Sequence, residues 1–284
     1  MSAPTTALVT VAHGRHGHLR RQSAGLDRSR VRPDLRVVVA MDDPGIAGAV
    51  DSSAEVIECA RTSGPSCGLP LARARNMGAE HALRRGADVL IFLDVDCIPG
   101  DELVGRYVRA CAEAESAALF SGPVTYLPPP PAGDGYPVDA LDTMTRPHPA
   151  RPDPAAGRLV VADDHDLFWS LSFAVTARTW RLLGGFCEAY VGYGGEDTDF
   201  GAVAREHGVP LVWVGGAHAY HQHHPVSDPP VEHLHQIVGN ARIFRRRWNR
   251  WPMPDWLDAF ERDGLICRRG EEIEVTASGQ AVMR

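Results

Sequence analysis

A chain of 284 residues, 44% hydrophobic and 23% charged, has the composition of a soluble globular protein, with length for one large domain or two small ones. Its net charge of −7 argues against a nucleic-acid binder working by non-specific phosphate attraction, and no apolar run approaches the ~20 residues that span a bilayer. All 29 basic residues are arginine, which excludes lysine-dependent chemistry such as a Schiff base or a P-loop.

The six cysteines (Cys59, Cys67, Cys97, Cys111, Cys187, Cys267) are scattered without a C-x-x-C pair and read as free thiols of a reducing compartment. With no signal-peptide pattern in Met1 to Val11, the expected location is the cytoplasm. Ala7 to Ala12 predicts a first buried strand and His13-Gly14 a turn; residues 15–30, arginine-rich with few apolar positions, fit a surface helix. Leu35 to Met41 is a second strand closed by Asp42-Asp43-Pro44-Gly45, and Ala54 to Cys59 a third. Pro70 to Arg85, stopped by Gly86, has the ends of a helix. Strand and helix then alternate into Val89-Leu-Ile-Phe-Leu93, the pattern of a parallel, doubly wound sheet.

That last run ends in Asp94-Val95-Asp96. Side chains alternate along a strand, so both carboxylates point the same way at its carboxyl end, where open α/β sheets bind ligands. Two hard carboxylates there suit a divalent cation and its phosphates, although a lone D-x-D is more often a solvated acidic turn. Asp101 to Glu115 predicts a helix and Ala117 to Phe120 a strand. Residues 127–157 are proline-rich and too long for a mere connector, so they are either disordered or a lid. Leu167 to Val175 predicts a strand, Thr176 to Leu183 a helix and Val209 to Val214 a final strand.

Two later clusters carry chemistry. Gly192-Tyr193-Gly194-Gly195 crowds a loop before Glu196-Asp197, which opens a helix. Acids in a first turn can simply cap it, but glycines let the backbone approach a ligand and leave a carboxylate placed to act as general base. His218, His221, His223 and His224 follow the final strand; they form either a zinc site of their own or the completion of a site begun by distant acids. Residues 231–248 have the 3.6 period of an amphipathic helix, whose Arg245-Arg246-Arg247 suits its carboxyl-terminal dipole. Trp251, Trp256 and Phe260 form an aromatic patch, and the tail from Arg268 looks peripheral.

The order Leu71-Ala-Arg-Ala-Arg75-Asn76, Asp94-Val-Asp96, Gly184-Gly-Phe186, Gly192-Tyr-Gly-Gly-Glu-Asp197 and His221-x-x-His224-Pro225 resembles the GT-A glycosyltransferases of family 2 type. The later part resembles the galactosyltransferase module of β-1,4-galactosyltransferases and of bacterial galactosyltransferase-related proteins. The resemblance covers most of residues 5–260 outside the proline-rich loop. It implies an α/β, GT-A fold with one Rossmann-like mixed sheet flanked by helices. Residues 1–126 would bind the nucleotide sugar, 127–157 would be the loop, 158–267 the acceptor and catalytic half, and 268–284 a tail.

The implied function is metal-dependent, inverting transfer of a hexose from a nucleotide-diphosphate sugar, expected to carry UDP, to an acceptor hydroxyl. Asp96 with His221 or His224 would hold Mn²⁺ or Mg²⁺, and Asp94 and Val95 would lie near ribose and phosphate. Thr10, Ala12, His13, Arg15, Asp42 and Arg75 would line the nucleotide-sugar site. Asp197 matches the catalytic base, Glu196 a sugar-hydroxyl contact, and Tyr193, Gly194, Gly195 and Trp169 the sugar-facing surface. Tyr193 stands where galactosyltransferases carry a tryptophan, and Cys187 where many relatives carry an acid. The alternatives are a sugar-nucleotide nucleotidyltransferase, against which the missing glycine-rich phosphate loop counts, and a non-catalytic zinc- or carbohydrate-binding protein.

Overall fold

Short apolar runs closed by turn formers can be buried on both faces, and the first four build the parallel half of a sheet. The computed structural model describes residues 3–61, 68–131, 135–145 and 148–281. In it, β1 (Thr6–Ala12), β2 (Leu35–Met41), β3 (Ala54–Cys59) and β4 (Val89–Leu93) lie in the order β3-β2-β1-β4, all parallel. α1 (His16–Arg28) and α2 (Leu71–Arg84) connect them. After β5 (Cys97–Pro99) come α3 (Leu103–Glu113), β6 (Leu119–Ser121), β7 (Val124–Tyr126), β8 (Leu159–Val161) and β9 (Ser172–Thr176). α4 (Ala177–Leu183), α5 (Glu196–Glu206), β10 (Leu211–Val214) and β11 (Ala219–His221) follow. The main sheet continues β4-β9-β6-β10-β8, with β9 antiparallel to both neighbours, so the predicted mixed sheet flanked by helices is what forms.

β4 illustrates why the core is dry on both sides. Leu90 and Phe92 join one apolar cluster with Phe173, Trp180, Phe186 and Phe200, while Val89, Ile91 and Leu93 join another with Leu103, Val104 and Tyr107. Phe92 stacks on its register partner Phe173 with ring centroids 4.5 Å apart, a contact worth about 1 kcal/mol beyond its buried area. α6 (Leu234–Trp248) buries Leu234, Ile237, Val238, Ala241 and Phe244 as its period predicts; residues 231–233 add a 3₁₀ turn at its start. α7 (Pro254–Arg262), a hairpin of β12 (Ile266–Arg269) and β13 (Glu272–Val275), and α8 (Ala277–Ala281) cover α6. The 267/268 boundary read from sequence falls inside that hairpin, where Arg268 pairs with Ile273.

Three elements differ from the sequence reading. The strand expected over residues 167–175 is β9 alone; residues 165–167 form a 3₁₀ turn because the Asp164 side chain accepts from the Asp166 amide. The Asp-Val-Asp stretch is a turn, since β4 ends at Leu93. A small sheet in the order β5-β11-β7, whose strands have three residues each, carried no readable period. The described parts of the proline-rich loop are packed: a 3₁₀ helix covers Val138–Thr143, and Tyr136 clusters with Leu127, Leu141 and Tyr220. Residues 132–134 and 146–147 of that loop, Cys67 and residues 282–284 lie outside the described residues; Cys59, Cys97, Cys111, Cys187 and Cys267 are free thiols.

α2 sits close against the sheet because its inner face is alanine and glycine: a Cβ on Gly78 would lie 2.4 Å from Val9 Cγ1 and 3.0 Å from Val39 Cγ2. Gly78→Ala is therefore expected to destabilise the protein by about 1–3 kcal/mol in chemical denaturation, despite alanine's better helix propensity.

Candidate functional site

The carboxyl ends of β1, β2 and β4 share one edge of the sheet, the place where such sheets take ligands. Alternation predicts that Asp94 and Asp96 face the same way; in the turn they take different partners. Asp94 Oδ1 accepts from Arg75 Nη2 at 3.0 Å, and Asp96 Oδ2 accepts from Arg15 Nη1 at 2.5 Å. The turn is fixed from below by Gln22, whose amide donates to the carbonyls of Asp94 (2.7 Å) and Cys97 (3.2 Å) while its Oε1 accepts from Thr10. Thr10 and Ala12 are thus buried supports and present no side chain to the open edge; Val95 packs in the same apolar cluster as Ala12.

The small sheet delivers the histidines. β11 pairs antiparallel with β5 so that His221 stands opposite Cys97, the residue after Asp96, and the Gln222 amide then donates to the Asp96 carbonyl at 2.7 Å. His221 Nε2 lies 3.5 Å from Asp96 Oδ1, and His224 Nε2 lies 3.6 Å from Asp96 Oδ2. One donor atom from each of Asp96, His221 and His224 lies within 4.8 Å of the other two. With bonds of about 2.1 Å, adjacent ligands of an octahedral cation stand about 3 Å apart, so these donors fit one ion after small shifts. Burial lowers the pKa of His224, which keeps the neutral imidazole that a metal requires. The other two histidines stay out of the set: His218 pairs with Thr125 and stacks on Tyr220, and His223 is exposed.

The second acidic pair approaches from α5. Gly192, Gly194 and Gly195 all have φ between 79° and 92°, which L side chains rarely adopt, and they turn the chain so that Glu196 and Asp197 open the helix inside the site. Asn240 locks this loop by donating to the carbonyls of Val191, Tyr193 and Gly194. Arg75, 4% exposed at its side chain, bridges the two halves of the chain: Nη1 donates to Glu196 Oε1 at 3.0 Å, opposite its bond to Asp94. Burial, reinforced by Asp197, pushes Glu196 up to about 7, and its Oε2 has no hydrogen-bond partner. Burial also raises the Asp197 carboxyl, against the amides of Thr198 and Ser170 and the charge of Arg75. Four carboxylates here face two guanidiniums, Arg15 and Arg75.

The remaining predicted residues border this centre. His13 Nδ1 meets the Met41 carbonyl at 2.7 Å and Asp42 pairs with Arg61, both at the β1–β2 end. Tyr193 stacks on His233 and Trp256, and Trp169 lies edge-on to His148. Beside Cys187 the acid on the turn is Glu188, which accepts from Asn76; Asn76 also exchanges hydrogen bonds with the Phe186 backbone. Supports invisible in sequence include Gln22, Asn240 and Asp43, which joins the Gly14 amide to His16. Asp199, two residues after Asp197, is buried scaffolding held by Tyr190, Arg247 and Trp248.

The architecture and its ligand edge define the GT-A glycosyltransferase fold. Two solved structures align over nearly the whole chain: GalNAc-T7 with UDP, GalNAc and Mn²⁺ (TM-score 0.57, 15% identity, 92% of this chain and 57% of that one), and the mannosyltransferase PcManGT from Pyrobaculum calidifontis with GDP-Man and Mn²⁺ (TM-score 0.52, 13% identity, 93% and 66%). In sequence the chain is similar to validoxylamine A glucosyltransferase of Streptomyces hygroscopicus subsp. limoneus, 26% identical over 238 residues covering 74% of this chain and 49% of that protein. The same enzyme of subsp. jinggangensis is 27% identical over 225 residues, covering 69% and 48%. The chain spans about half the length of these curated relatives. No family model matches it. Its sequence relatives and structural neighbours are glycosyltransferases.

If the three donors hold one cation, Asp96→Asn, His221→Ala and His224→Ala should each weaken Mn²⁺ binding at least about tenfold in calorimetric titration, while His223→Ala leaves it unchanged.

Proposed function

We propose that this protein is a metal-dependent glycosyltransferase that moves a hexose from a nucleotide-diphosphate sugar to an acceptor hydroxyl with inversion at the anomeric carbon. The observation that carries the reading is the convergence of Asp96, His221 and His224 beside the Arg75-bridged acids on the ligand edge of a GT-A sheet. The glucosyltransferase relatives and the nucleotide-sugar complexes of the structural neighbours support it. Mn²⁺ or Mg²⁺ held by Asp96, His221 and His224 would balance negative charge on the departing diphosphate.

The chain's own residues supply the rest. Arg15 and Arg75 stand where they can meet the phosphates and donor sugar, and His13 and Asp42 where they can meet the nucleoside, with UDP the preferred nucleotide. Asp197 accepts the acceptor's hydroxyl proton as its oxygen attacks the anomeric carbon from the face opposite the leaving group. Glu196, with its pKa raised to about 7, is protonated in a substantial fraction near neutrality and can then donate to a sugar oxygen through the carboxyl oxygen that lacks a partner. The glycine loop with Tyr193, together with Trp169, would form the acceptor side. Residues 1–126 then serve the donor and 158–267 the acceptor, with 127–157 excluding water between them. The family 2 and galactosyltransferase likeness rests on the sequence motifs, and the free thiols favour a cytoplasmic setting. No helix among the described residues is long and apolar enough to cross a membrane.

Thermal shifts and hydrolysis measured with UDP-, GDP- and dTDP-sugars, with Mn²⁺ and with Mg²⁺, test this reading; stabilisation by none of them would sink it. Asp197→Asn should keep donor binding while transfer falls about 10²–10⁴-fold. Because the base must be ionised and burial raises its pKa, kcat/KM should rise with pH along a limb lying above the ordinary carboxylate value of about 4. A limb at or below that value would remove Asp197 from the role.

A further inference from the structure

β11 ends at His221 and the next element begins at Val231, so His224 sits in chain without regular structure. The placing of its ring beside Asp96 therefore depends on what holds the backbone there. Gln222 anchors the start: its amide donates to the Asp96 carbonyl at 2.7 Å, and its side chain donates to the His18 carbonyl at 3.1 Å. Beyond it, among the described residues, one amide between Gln222 and Ser227 has a hydrogen-bond partner, that of His223. It donates to the Tyr136 hydroxyl at 3.0 Å. The His223 side chain is exposed, so this residue is a backbone handle between the two imidazoles that face Asp96.

Tyr136 reaches this amide from the proline-rich segment. It is 9% exposed and packs its ring with Ile98, Leu127, Leu141 and Tyr220. An amide can only donate, so the hydroxyl accepts from His223 and sends its own proton to the Pro128 carbonyl, 2.9 Å away. For packing alone a phenylalanine would serve, without a hydroxyl to satisfy. The chain entering the same segment grips the other end of the histidine run. There the Leu127 amide donates to the His221 carbonyl at 2.9 Å, and the Tyr126 ring centre lies 4.8 Å from that of His221.

We propose that Tyr136 is a positioning residue for the cation site: through the His223 peptide, its hydroxyl fixes His224 against Asp96. The proline-rich segment, none of whose described residues belongs to the donor set, thereby governs how well that set is formed before a cation arrives. The inference rests on the reading of Asp96, His221 and His224 as ligands of one ion. His221 is held independently, since it lies in β11 between β5 and β7, so Tyr136 acts on His224. Such coupling is reciprocal: whatever the docked segment adds to cation affinity, a bound cation returns to the docking of the segment.

The test is Mn²⁺ affinity, read by calorimetry and by the free-ion signal in electron paramagnetic resonance. Tyr136→Phe keeps the ring in its cluster and deletes the hydroxyl. It should weaken Mn²⁺ binding about tenfold, the loss expected when a group supporting a ligand is removed, with circular dichroism unchanged. A double-mutant cycle separates positioning from general loosening. If Tyr136 acts through His224, Tyr136→Phe should add little in a His224→Ala background. A full further tenfold loss in that background would overturn the inference, as would unchanged affinity in the single variant. Should Tyr136→Phe fail to fold, hydrogen exchange of the wild type decides: Mn²⁺ should slow exchange over residues 136–144, and unaltered exchange there counts against the inference. A wild type that binds no Mn²⁺ removes the cation-site reading and the inference with it. A wild type that binds Mn²⁺ no better than Tyr136→Phe removes the inference alone.

Discussion

The guanidinium of Arg75 is the constraint on which the site depends. It is nearly inaccessible, and it bonds Asp94 from the first half of the chain and Glu196 from the second, which lies 121 residues after Arg75 itself. Each partner alone would be a buried carboxylate driven toward its neutral form; with Arg75 between them, Asp94 and Glu196 share one delocalised charge with fork geometry. Breaking such a pair by deleting one member typically costs about 3–5 kcal/mol, because a buried charge is left uncompensated. The apolar cluster under it, with Arg75 over the Phe186 ring at 5.3 Å, gives the arrangement little room to relax.

Around this bridge the site divides into two chemically distinct ends. On one side, Asp96 faces two imidazoles and Arg15, a set of donors suited to a hard or borderline cation beside phosphate. On the other, Glu196 and Asp197 are pushed up by burial and by each other, a state suited to proton chemistry. Asp94 belongs to neither end alone. It is tied through the turn to Asp96 and through Arg75 to Glu196, so it is better described as a joint than as a ligand.

Much of this was legible in the sequence, for reasons that can be named. β4 is an unbroken apolar run because it is buried on both faces, and α6 shows its period because it is buried on one. Asp96, Glu196, Asp197 and the histidine cluster stood out by their combination: a D-x-D after a buried strand, paired acids behind a glycine-crowded loop, and four histidines within seven positions. The small sheet was hidden because three-residue strands carry no measurable period, although it is the register of β5 on β11 that selects His221 and His224 over His218 and His223. Gln22, Asn240 and Tyr136 were hidden for a different reason. A glutamine in an arginine-rich helix, or a tyrosine among prolines, looks solvated until tertiary contacts bury it. Asp199 shows the converse: a motif-adjacent acid that the fold uses as a fastening for Arg247 and Trp248.

The bridge of Arg75 and the ladder of β5 on β11 also bear on how the protein reaches its native state. Both join segments more than a hundred residues apart, with β6 to β9 in either interval. The parallel strands β1 to β4 and their helices can find one another early, but closing loops of this size carries an entropic cost that is repaid once the intervening strands are in register. The active centre is therefore complete only once segments far apart in the chain have met. A nascent chain stopped short of β11 has all four early strands and both acidic pairs, and lacks His221 and His224 of the donor set.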